Sequence, residues 1–121
     1  MYKLRIKAHF DAAHKLENYQ GKCSHLHGHR WTVEAFIIGE TLDQTGLLVD
    51  FSVLKKKLEK IVEKMDHSFL NEIKEIGNPT AENLSKYIFY KFNQLPASVK
   101  LEKIRVWESP ESYCEYHPNG E

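Results

Sequence analysis

The 121-residue chain has no long apolar run, no excess charge of either sign and only two cysteines, and each absence narrows what it can be. No stretch approaches the roughly 20 apolar residues that a membrane-spanning helix needs. Met1-Tyr2-Lys3-Leu4-Arg5 also lacks the apolar segment of a secretion signal. We therefore expect no membrane partner and a cytoplasmic location. Seventeen basic residues are balanced by 17 acidic ones, which argues against a nucleic-acid partner held by bulk charge. A local basic pocket for a small anion stays open. Reduced thiols are expected rather than a disulfide, with Cys114 an inert strand residue. Repeats, low-complexity tracts and linkers are lacking too. Length and a 41% hydrophobic content fit one domain spanning 1–121 with a modest core.

What is present reads as strands and helices in a simple order. Leu4, Ile6, Ala8 and Phe10 alternate with Lys3, Arg5, Lys7 and His9, as in a strand buried on one face, and His14 falls just past its end. A second strand is expected over about 30–38. Ser52 can cap a helix with Leu54, Leu58, Ile61, Val62 and Met65 on one side, its lysines and glutamates forming a solvated face. Asp66-His67 ends that helix, and an irregular stretch leads to Gly77-Asn78-Pro79. Thr80 then caps a second helix with Ala81, Leu84, Ile88, Phe92 and Leu95 at helical spacing. Tyr87, Phe89 and Tyr90 widen its apolar surface, toward a partner subunit or a second core contact. Strands over about 101–108 and 112–117, joined near Pro110, complete an α+β fold with an antiparallel sheet.

Chemistry concentrates between His14 and His29, where Cys23-Ser24-His25-Leu26-His27-Gly28-His29 crowds imidazoles beside a thiol. In an extended segment alternate side chains face the same way, so His27 and His29 can aim at one point, with Gly28 leaving room for close approach. With His14 as a third nitrogen, a tetrahedral zinc keeps one open position, as catalytic sites do. Spacing alone does not choose among His25, His27 and His29, nor does it exclude Cys23 as the fourth ligand of a noncatalytic zinc module. Glu108 ends the apolar row of Ile104 and Val106, where a carboxylate is unfavourable unless paired. It reads equally as a surface carboxylate before a turn, and Asp66-His67 as a surface pair at a helix end.

Phe10-Asp11-Ala12-Ala13-His14, the Cys23 to His29 motif, Val49-Asp50-Phe51, Met65-Asp66-His67, Asn78-Pro79-Thr80-Ala81-Glu82 and Glu108 together resemble the 6-pyruvoyltetrahydropterin synthase superfamily. The resemblance spans nearly the whole chain. Three residues between the cysteine and His-Gly-His are similar to the bacterial 6-carboxytetrahydropterin synthases of the queuosine pathway. The 6-pyruvoyl enzymes usually have five, and a folate branch replaces the cysteine, here Cys23, with glutamate. The resemblance implies a zinc ion on His14, His27 and His29, with His25 at a variable position. It makes Cys23 the catalytic base, His67 its proton-transfer partner oriented by Asp66, and Glu108 the anchor of the pterin ring with Thr80 beside it. It also implies the tunnelling fold, a four-stranded antiparallel sheet with two helices on one side. Trimers of such subunits close a barrel and pair into homohexamers, with active sites between subunits. The implied substrate is 7,8-dihydroneopterin triphosphate, and the implied products are 6-carboxytetrahydropterin, acetaldehyde and triphosphate. Lys15, Lys22 and Arg30 flank the histidine ligands, and the sequence does not choose which basic residues hold the triphosphate.

Overall fold

The computed structural model describes residues 1–18, 20–21, 24–92 and 94–118. The N-terminal alternation yields strand β1, Tyr2–His14, which runs antiparallel to β2, His27–Gly39. Their pairing is unbroken from Tyr2 opposite Gly39 to His14 opposite His27, so His14 is the last paired residue of β1 rather than a loop residue beyond it. The expected second strand likewise begins earlier, at His27, because the histidine segment itself joins the ladder.

Helix α1 covers Phe51–Glu63 and buries Leu54, Leu58 and Val62. Its N-cap is Asp50 instead of the expected Ser52. One Asp50 carboxylate oxygen accepts from both the amide and the hydroxyl of Ser52, at 2.8 and 2.9 Å, and an ionised acceptor suits the positive end of a helix better than a hydroxyl. Helix α2, Ala81–Lys91, is capped as expected by Thr80, whose hydroxyl accepts from the Asn83 amide at 3.0 Å. Of the extra apolar width of α2, Tyr87 and Phe89 pack against the core, whereas Tyr90 is 58% exposed. Phe89 and Tyr90 pack on Tyr116, and the Tyr90 and Tyr116 hydroxyls lie 2.8 Å apart.

Two further strands, β4 (Val99–Ser109) and β5 (Ser112–Tyr116), turn at Pro110 as expected. The sheet departs from the expected four antiparallel strands by one short element. Ser68–Phe69, labelled β3, pairs parallel to β1 at Ala12 and Ala13, giving a five-stranded mixed sheet of order β3-β1-β2-β4-β5. A two-residue strand has no periodicity to betray it. It exists because the His67 amide donates to the Asp11 carbonyl oxygen at 2.6 Å, with His67 itself at a φ of 57°.

Both helices cover the face carrying Ile6, Phe10, Trp31, Val33, Ile104 and Val106, and one continuous core forms there. Removing a side chain such as the fully buried Leu58 costs about 2–5 kcal/mol in cores of this kind. The opposite face holds a buried acid that the sequence reading missed. Glu34 is 5% exposed and accepts from Arg5 Nη1 at 2.8 Å and from Trp107 Nε1 at 2.6 Å.

Candidate active site

The register of β1 on β2 builds the site. His14 lies opposite His27 and Ala12 opposite His29, so three imidazoles share the helix-covered face at the end of its apolar rows. Phe10 and Trp31, paired one step further in, form the floor, and the Trp31 ring stands 4.9 Å from that of His14 and 5.5 Å from that of His29. One nitrogen from each histidine falls within 4.8 Å of the others. His25 is outside this group. Gly28 is not required for the approach, since a β-carbon there would meet the Ala12 carbonyl oxygen at an ordinary 3.9 Å.

Backbone carbonyls fix the tautomers. His14 Nδ1 lies 2.8 Å from the Pro79 carbonyl oxygen and His27 Nδ1 lies 2.7 Å from that of His25. A carbonyl only accepts, so each Nδ1 carries the proton and each Nε2 keeps its lone pair. Burial holds His14 below the ordinary imidazole pKa, with the Pro79 bond a smaller opposing effect, and burial lowers His29 as well. His14 Nε2 and His29 Nε2 are buried without a hydrogen-bond partner. Two orphaned basic nitrogens beside a third imidazole are the donor set of a divalent metal that prefers nitrogen.

Two asparagines hold the segment that supplies the Pro79 carbonyl. Asn78 accepts from the Glu17 amide at 2.9 Å and donates to the Glu17 carbonyl oxygen at 3.2 Å. Asn71 makes the same two-way clasp with Lys15, at 3.0 and 2.9 Å. These positioning residues escaped the sequence reading, in which only the Asn-Pro-Thr punctuation before α2 marked the place.

Glu108 is brought to the cluster, its Oε2 3.7 Å from His14 Nε2 with the side chain 31% exposed. A cavity of about 370 Å³ opens beside it, lined by Leu16, Thr80, Glu108, Tyr113 and Cys114 among others. Cys114 is thus part of a cavity wall, its thiol raised in pKa by burial, with Ser85 Oγ 3.8 Å away.

Asp66 and His67 lie on the other side of β1. Asp66 accepts from the Asp11 amide at 2.9 Å and pairs with His67 Nδ1 at 3.0 Å. The Asp11 amide, only partly offset by burial, holds Asp66 below the usual carboxylate range. The His67 side chain is 80% exposed and makes no contact with the three-imidazole cluster among the described residues. An open cavity of about 530 Å³ touches both His29 and His67. Arg30 grips Asp11 through Nε and Nη2, at 2.9 and 3.0 Å. Cys23 and Lys22 lie outside the described residues.

Comparison with known proteins agrees with this arrangement. The family model described as 6-pyruvoyl tetrahydropterin synthase matches residues 3–119. A Haemophilus influenzae protein named 6-carboxy-5,6,7,8-tetrahydropterin synthase is 32% identical, over 96% of this chain and 99% of its own length. A Pyrococcus furiosus protein named dihydroneopterin monophosphate aldolase is 39% identical, over 90% of this chain and 93% of its own. Among solved structures, the 6-pyruvoyl tetrahydropterin synthase of Caenorhabditis elegans superposes with a TM-score of 0.84 at 27% identity, covering 98% of this chain and 96% of that one. The chain belongs to the 6-pyruvoyl tetrahydropterin synthase family.

Proposed function

We propose that the protein is a zinc-dependent lyase of one domain. With one water consumed, it converts 7,8-dihydroneopterin triphosphate to 6-carboxy-5,6,7,8-tetrahydropterin, acetaldehyde and triphosphate, a reaction of queuosine biosynthesis in the cytoplasm. The observation that carries this reading is the pair of buried, unpartnered Nε2 atoms of His14 and His29, gathered with His27 one carboxylate away from a cavity of about 370 Å³.

His14, His27 and His29 hold the metal, with Pro79 and His25 carbonyls locking two of the rings. When bound, zinc supplies Lewis acidity to a side-chain hydroxyl and the carbonyl formed from it. The remaining work falls to the chain. Glu108 accepts the ring N–H and amino donors of the pterin, a bidentate contact that suits a carboxylate at the mouth of an apolar face. Thr80 lines the same cavity. The Cys23 thiolate takes the proton from the side-chain carbon and becomes the thiol, with His67 its partner in proton transfer. Asp66 keeps the His67 Nδ1 proton in place so that Nε2 can accept.

His67 reaches a different part of the surface from the imidazole cluster, which supports active sites completed between subunits of a homohexamer. The sheet offers two edges for such assembly. Among the described residues, β1 is paired on its outer side only at Ala12 and Ala13, and β5 forms the opposite edge. A monomer fully active at high dilution contradicts this part of the proposal.

The 39% identity to the Pyrococcus furiosus protein favours a second reading, an aldolase acting on dihydroneopterin monophosphate. Incubating the protein with each phosphate ester and identifying products by mass spectrometry separates the two. Release of 6-carboxytetrahydropterin and acetaldehyde from the triphosphate supports the synthase, and turnover confined to the monophosphate supports the aldolase. A 6-pyruvoyl product points instead to the remaining activity on the same triphosphate.

A further inference from the structure

The lysines of α1, which the sequence presents as a solvated face, line a cavity. Lys56, Lys57, Lys60 and Lys64 meet Lys91 of α2 around a groove of about 400 Å³ between the helices, with Ile61, Tyr87 and Phe92 among its walls. We infer that this groove is a binding site for a nucleoside di- or triphosphate, its phosphates on the α1 lysines and its planar base against Tyr87 and Ile61.

The charge arrangement carries the first half of the argument. The chain as a whole is neutral, yet five ammonium groups gather here. Lys56, Lys60 and Lys64 follow one another at every fourth position, about 6 Å apart along the axis. Like charges at that spacing weaken a helix. Glu59 and Glu63 stand three residues on from Lys56 and Lys60, within facing distance on the helix, yet none of Lys56, Lys60 and Lys64 forms an ion pair among the described residues. Lys91 is balanced by Glu75 at 2.8 Å and is held 5.5 Å above the Tyr87 ring. A ligand with several negative charges relieves the repulsion along α1.

Size and donor type select the ligand. The volume falls within the roughly 300–1,000 Å³ of small-molecule sites. A protein helix about 10–12 Å across fills such a space with roughly one turn, so a docked helix would be held poorly. The groove has lysines and no arginine, which suits phosphate groups met as point charges better than carboxylates met by a planar fork. The apolar walls would be wasted on inorganic phosphate and favour a ligand with a flat body.

The test is calorimetric titration of the purified full chain with ATP, with inorganic triphosphate in parallel and the Tyr87 ring followed by NMR. We expect one saturable site per chain, a shift of the Tyr87 resonances, and weaker binding of triphosphate. Changing the exposed Lys60 and Lys64 together to glutamine should weaken ATP at least tenfold without lowering the melting temperature. His27→Ala should leave ATP binding unchanged. Absence of saturable binding overturns the inference. So does binding that survives the lysine changes, whether or not His27→Ala abolishes it, and so does triphosphate binding as tightly as ATP with Tyr87 undisturbed.

Discussion

His14 Nδ1 and the Pro79 carbonyl oxygen lie 2.8 Å apart, a buried hydrogen bond joining the end of the first strand to the entrance of the second helix across 65 residues of sequence. It leaves His14 Nε2 unprotonated and directed at the other two imidazoles. Metal binding should therefore need His14, His27 and His29 but not His25, whose carbonyl rather than ring serves the site. His27→Ala should lose zinc by elemental analysis and lose turnover, while His25→Ala keeps its metal. Full zinc in the first variant and none in the second contradicts the assignment.

Asn78 should matter without touching the metal, since its clasp on Glu17 helps set the Pro79 carbonyl against His14. Loss of such outer support typically costs about 10–100-fold in metal affinity. Competition with a chelating dye should show a loss of that order in Asn78→Ala, with the melting temperature of the metal-loaded protein little changed. Unaltered affinity means that the Pro79 carbonyl is held by other contacts.

Cys23 separates a catalytic from a structural metal site. As a base it can be replaced by alanine with zinc content and fold intact, and turnover should fall by at least roughly 10²- to 10⁴-fold. As a fourth ligand, its removal would release the metal and melt the domain. Metal analysis, thermal denaturation and turnover on one Cys23→Ala preparation decide between them.

The sequence showed the site's ingredients better than its framework. Strict alternation in β1 and helical spacing in α2 were legible because each element has one buried face, and Glu108 stood out as an acid ending an apolar row. The register of His14 on His27 was not legible, since it depends on two strands far apart in sequence pairing without a bulge. Nor was β3, whose two residues pair through a hydrogen bond from His67, nor the burial of Glu34, which lies on the face of the sheet away from the helices. Glu34 is buried there because Arg5, Arg105 and Trp107 close over it.

That cluster sets an acid limit on stability. Burial pushes the Glu34 carboxyl up, but the Arg5 and Trp107 hydrogen bonds and the Arg105 charge outweigh it and hold it below the ordinary 4.5. The unfolded chain then binds the proton first, so the stabilisation is complete above about pH 4.5 and is lost as pH falls through the lower folded value. Glu34→Gln should cost about 1–2 kcal/mol at neutral pH, half-exposed Arg5 being screened by solvent. It should also flatten the fall in melting temperature below pH 4.5. An unchanged acid limb in calorimetry means that another carboxylate governs it.

The most direct test of the account is turnover of 7,8-dihydroneopterin triphosphate by the protein as purified, after chelation, and after zinc is restored, with products identified by mass spectrometry. The account predicts 6-carboxytetrahydropterin and acetaldehyde, lost on chelation and recovered with zinc. Turnover indifferent to chelation, or a substrate range confined to the monophosphate, would contradict it.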